Sequence, residues 1–97
     1  MATSRVKISN SSDIPEVKFR GTHFQAADDF NVTLGAGSKV EVEVTAGSIG
    51  LVAFRVSDEV AVGHLAYPAT PTQGFAAVLI NHEDYYMLVG EPFVIEE

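Results

Sequence analysis

In the stretch SKVEVEV at positions 38–44, Val40, Val42 and Val44 alternate strictly with Lys39, Glu41 and Glu43. A helix would scatter these side chains around its axis, whereas a strand sorts them onto one dry face and one wet face. The same period of two recurs at 5–8, where Val6 and Ile8 point inward, and at 17–20, where Val17 and Phe19 do. It returns at 30–34 and at 52–56, where Val52, Phe54 and Val56 form the apolar set. No window carries helical spacing, so the chain is read as all-β.

Turn chemistry punctuates these runs: NSSD at 10–13, GAGS at 35–38, AGSIG at 46–50, then 57–58, 81–84 and 90–92. Gly supplies positive φ, while Asn, Asp and Ser bond back to their own main chain. Short strands at this spacing predict a small antiparallel β-sandwich of about eight strands. Antiparallel pairing is expected because no connection is long enough for a crossover helix. Ninety-seven residues suffice for one domain, taken as 1–97.

Composition narrows the function. Thirteen acidic residues against six basic ones leave a net charge of −7. Such a balance repels phosphate backbones, so nucleic acid is not expected as a partner. The absence of Cys removes disulfides, thiolate metal sites and Cys nucleophiles. No apolar run reaches the length of a transmembrane helix, and MATSRVKISN lacks the apolar stretch of a signal peptide. The expectation is a soluble chain, cytoplasmic or exported without a classical signal. Asn10-Ser11-Ser12 and Asn31-Val32-Thr33 both match the N-glycosylation pattern.

His23, His64 and His82 show neither HxH nor HExxH spacing, and no G-x-S-x-G elbow is present. The acidic pairs at 28–29 and 83–84 lack the spacing of a calcium loop. Neither catalytic residues nor a metal or other cofactor are therefore predicted. The distinctive stretch is HLAYPATPTQG at 64–74, read as a loop stiffened by Pro68 and Pro71. Tyr67 can stack on a sugar or sit at a headgroup, and His64 and Gln73 can supply hydrogen bonds. With Tyr85 and Tyr86 they form the predicted ligand-binding set, carried on loops at one end of the sandwich.

The runs at 74–80 and 85–89 are apolar on both faces, which fits central strands or a subunit interface.

The succession Val6-Lys7-Ile8-Ser9-Asn10-Ser11-Ser12-Asp13-Ile14-Pro15, then Gly21, Val32-Thr33-Leu34-Gly35-Ala36-Gly37 and Gly47-Ser48-Ile49-Gly50-Leu51-Val52-Ala53-Phe54 resembles the first half of actinoporin-like β-sandwich proteins. That group includes pore-forming cytolysins, fungal fruit-body lectins and the aegerolysins, and the resemblance covers residues 5–75. Its cytolysin members imply an amphipathic helix before the first strand and an aromatic cluster for phosphocholine. This chain opens directly on a strand and has no Trp, so what the resemblance implies here is a small binding module rather than a pore former. The leading reading is a non-enzymatic, lectin-like module for a glycan or lipid headgroup, assembled as a homo-oligomer. Two alternatives stand beside it: a structural protein that self-associates through strands 74–89, and a protease inhibitor presenting residues 67–73.

Overall fold

The computed structural model describes residues 2–96, which contain eight strands and no helix. They are β1 (Thr3–Ser11), β2 (Glu16–His23), β3 (Phe30–Gly35), β4 (Lys39–Thr45), β5 (Gly47–Arg55), β6 (Val60–Ala69), β7 (Gln73–His82) and β8 (Tyr85–Val94). Sheet A has the order β4-β1-β7-β8 and sheet B the order β3-β2-β5-β6. The two pack as a sandwich around one core. All pairings are antiparallel except β1 with β7, which run parallel, with Val6 opposite Phe75 and Ile8 opposite Ala77. No direct crossover helix is needed for that pair, because the chain between Ser11 and Gln73 passes through β2 and β3 of sheet B, β4 of sheet A, and β5 and β6 of sheet B.

The alternation predicted for β1, β2 and β4 is the one observed. Val6 and Ile8 of β1 and Val17 and Phe19 of β2 are fully buried, and Val44 nearly so. Across the interior they meet Phe75, Ala77 and Leu79 of β7 and Ile49, Leu51 and Ala53 of β5. Each large side chain removed from water here contributes about 1.5–3 kcal/mol.

Strand β5 corrects the sequence reading. Its inward set is Ile49, Leu51 and Ala53, so Val52 and Phe54 lie on the outer face, one residue out of the expected register, and Val56 falls beyond the strand. The run is apolar on both sides, so periodicity could not choose between them. Packing chooses. Ala53 is the register partner of Phe19, so a small side chain stands beside a large one in the buried layer. The predicted turn at 46–50 shrinks accordingly, since the strand already begins at Gly47.

Strand β6 is the second correction. Residues 64–69 belong to a ten-residue strand rather than a loop, and the connection to β7 is only residues 70–72. Thr70 N donates to Gln73 O and Gln73 N to Thr70 O and Oγ1, closing that turn tightly. Proline is tolerated at 68 because β6 is an edge strand, where one N–H need not enter a ladder. Along this side the two sheets nearly touch: a Cβ at Gly63 would lie 2.9 Å from Leu88 Cβ, so only glycine permits the approach.

Two buried polar side chains hold the ends. At the end formed by residues 12–15, 36–38, 56–59 and 83–84, Asn10 is fully buried. Its Nδ2 donates to Ile14 O (3.1 Å) and Leu34 O (3.3 Å), and its Oδ1 accepts from Ser12 N and Ser12 Oγ. A sugar cannot reach that amide, which removes Asn10 as a glycosylation site; Asn31 is exposed. At the opposite end, His23 is also buried. Its Nδ1 accepts from Gln25 N (3.0 Å) and Ala26 N (2.9 Å), so the proton sits on Nε2, which donates to Ala46 O (3.0 Å).

Candidate binding surface

The predicted ligand-binding residues do not gather at one end of the sandwich. His64 lies on the outer face of sheet B, opposite Val52. Tyr67 turns toward the seam between the sheets, where its ring stacks on Phe75 at 5.5 Å and its hydroxyl donates to Gly90 O at 2.8 Å. Both its apolar face and its polar tip are therefore engaged within the fold. Gln73 stands exposed at the start of β7, at the far end from the 83–84 hairpin that carries Tyr85 and Tyr86. Tyr85 is 54% exposed on the outer face of sheet A, tilted against His82 at 5.0 Å.

Tyr86 faces the seam and donates from its hydroxyl to Asp13 Oδ1 at 2.9 Å. That bond stabilises the protonated phenol and holds Tyr86 above its ordinary pKa, with desolvation and the Asp13 charge acting the same way. Nearby, Arg55 grips Asp58 through two bonds of 2.9 and 2.7 Å. The hydrogen bond from Arg55 lowers the Asp58 pKa and, reciprocally, raises that of Arg55.

Of the predicted set, His64 and Tyr86 share a cavity. They line a crevice of about 420 Å³ between β6 and β8, with Met87 and Leu88. A larger hollow of about 510 Å³ lies by the chain ends, between Ser4, Arg5, Glu43, Pro71 and Ile95. It has no aromatic wall, and its Arg5 is already paired with Glu41 at 3.2 Å.

The richer surface is the outer face of sheet B, which His64 borders. Strand β2 presents Lys18, Arg20 and Thr22 there, β3 presents Asn31 and Thr33, β5 presents Ser48, Gly50, Val52 and Phe54, and β6 presents His64, Ala66 and Pro68. Phe24 continues the same side past the end of β2, its amide donating to Ser48 O. Its ring, 61% exposed, lies across Gly50: a Cβ there would fall 2.9 Å from Phe24 Cζ. The segment beneath it is pinned by His23 and by Gln25 Oε1, which accepts from Ser48 N at 2.9 Å. At the other end of the face, Lys18 Nζ sits 5.8 Å above the Phe54 ring.

Phe24 is the residue that loop-centred reasoning missed. Its signal was in the sequence: extending the alternation of β2 by four residues puts Lys18, Arg20, Thr22 and Phe24 on the wet face together. Phe24 is thus a large apolar ring exposed beside hydroxyl and basic side chains.

Among the described residues no three His, Asp or Glu side chains group as metal ligands, and no helix is long and apolar enough to cross a membrane. Comparison of the sequence with protein-family models and with curated proteins finds no match.

Proposed function

We propose that the chain is a non-enzymatic binding module that recognises a glycan or lipid headgroup on the outer face of sheet B. The observation that carries this reading is the Phe24 ring spread over Gly50, exposed and held from below by the His23 and Gln25 hydrogen bonds. A ring fixed in place loses little entropy when an apolar sugar face or a headgroup methyl cluster lands on it. Thr22, Ser48, Arg20 and His64 surround it with hydrogen-bonding groups. The resemblance to actinoporin-like sandwiches, lectins among them, supports a module of this kind. A glycan array and a pull-down on phosphatidylcholine vesicles test it. Binding to one of them should fall at least about tenfold in Phe24→Ala, the loss of one stacked ring; unchanged binding in that variant removes the reading.

A second reading concerns assembly. On the outer face of sheet A, the rows Val78 with Val89 and Ile80 with Met87 lie under no other element, and Val89 and Met87 are 42% and 37% exposed. Self-association through these strands would cover them and repeat the shallow binding face, which raises avidity. Light scattering across a dilution series should show a dimer or larger species that Met87→Glu converts to monomer. A wild-type chain that is monomeric at high concentration removes it.

A further inference from the structure

The chain carries a net charge of −7, yet its cations are not spread evenly. Arg5 pairs with Glu41 and Arg55 with Asp58. Lys7 rests 4.3 Å above the Phe93 ring in a register row between Glu41 and Glu91. Lys39 stands on the same sheet face as those carboxylates. Lys18 and Arg20 differ: they sit on one face of β2, about 7 Å apart along the strand. Their row partners are Thr33, Phe54, Asn31 and Val52, none of them acidic. Apart from Glu16 at the start of β2, no outward strand position of sheet B bears a carboxylate. Among the described residues neither Lys18 nor Arg20 makes an ion pair.

An acidic protein that keeps one sheet face free of strand carboxylates, with Arg20 one row and Lys18 two rows along from an exposed ring, is complementary to an extended ligand that is itself anionic and carries rings. We infer that the ligand is an acidic saccharide, a sugar bearing a carboxylate or sulfate. One sugar ring stacks on Phe24 while acidic groups along the saccharide are taken by Arg20, one row away, and by Lys18, a further row along β2. The planar guanidinium of Arg20 matches the two-oxygen edge of such a group. Phe24, Gly50, Ala66 and Val52 supply a flat shelf rather than a protruding wedge, which suits a polysaccharide strand better than a bilayer. This inference rests on the binding face proposed above and narrows its ligand class.

Matched charged and neutral probes test it: oligogalacturonate against its methyl ester, and dextran sulfate against dextran, by titration calorimetry at low and physiological salt. The charged member of at least one pair should bind about tenfold or more tightly than its neutral partner, the size of one charge-assisted hydrogen bond. Added salt should shrink that gap. Arg20→Gln and Lys18→Gln should each erase most of it, while Phe24→Ala should weaken both members. Equal binding of charged and neutral probes, or a gap untouched by Arg20→Gln, overturns the inference and leaves the platform reading intact if Phe24→Ala still abolishes binding. Failure of every charged saccharide to bind also overturns it. Binding to phosphatidylserine vesicles that Arg20→Gln abolishes and Phe24→Ala leaves unchanged would reassign the face to an anionic membrane and overturn both. Circular dichroism of each variant separates lost binding from lost fold.

Discussion

The two ends of the sandwich are each organised by one buried polar side chain, yet they are put to different use. Asn10 bonds to carbonyls on either side of the core, Ile14 after β1 and Leu34 in β3, and so stitches sheet A to sheet B. His23 reaches the β4–β5 turn through Ala46 O and fixes the two amides that follow Phe24. Every bond of Asn10 is spent on the fold; those of His23 also aim a ring at solvent. A buried polar group is thus a device of stability at one end and of positioning at the other.

Replacing Asn10 with Leu should have the largest effect. It removes the partner of two carbonyls and of two Ser12 groups, each unmet partner costing about 1–3 kcal/mol, so the loss in urea unfolding should be about 4 kcal/mol or more. Ligand binding by the fraction still folded should be unchanged. His23→Leu should cost less stability, about 2 kcal/mol, because its partners lie nearer solvent. It should nonetheless weaken binding together with stability, since the segment under Phe24 is released; a variant that binds normally would end the contrast between the ends.

Gly50→Ala sharpens the comparison further. The added methyl meets only the tip of the Phe24 ring, so stability should move by less than about 1 kcal/mol while the ring swings away and binding drops. Loss of stability without loss of binding would show the glycine to be structural. The smallest effect belongs to Tyr86. Because its pKa is raised in the folded protein, its contribution is complete below the ordinary phenol value near 10 and is lost as pH rises through the folded value. Tyr86→Phe should flatten that alkaline loss of stability in a pH series of thermal melts.

How much of this was legible depended on whether a strand had two chemically different faces. Strand β4 could be read because Glu and Lys mark its wet side; β5 could not, because Ile49, Leu51, Val52 and Phe54 offer no polar side to count from. Its inward face is settled only where Ile49, Leu51 and Ala53 meet the neighbouring strands and the facing sheet, a property of the assembled layers. Strand β6 was hidden by Pro68 and Pro71, which signal a loop unless the strand is already known to lie on an edge. The parallel union of β1 and β7 joins segments too far apart in sequence for any local pattern to reveal. Of the proposed binding face, Lys18, Arg20 and Phe24 share one parity of the sequence but are not joined when the strand is read as ending at residue 20, whereas Gly50 beneath the ring belongs to a neighbouring strand and emerges only with the sheet.

That union also bears on how the molecule comes into being. Strand β1 occupies an inner place in sheet A, flanked by β4 and β7, so its ladder cannot be completed until the polypeptide has been made as far as residue 80. Closing so wide a circuit is slow, and folding in the range of milliseconds to seconds is expected. During synthesis, Val6 and Ile8 must wait with one flank open. Emergence from the ribosome is therefore the interval at which this small acidic chain is most open to capture by chaperones or by its own kind.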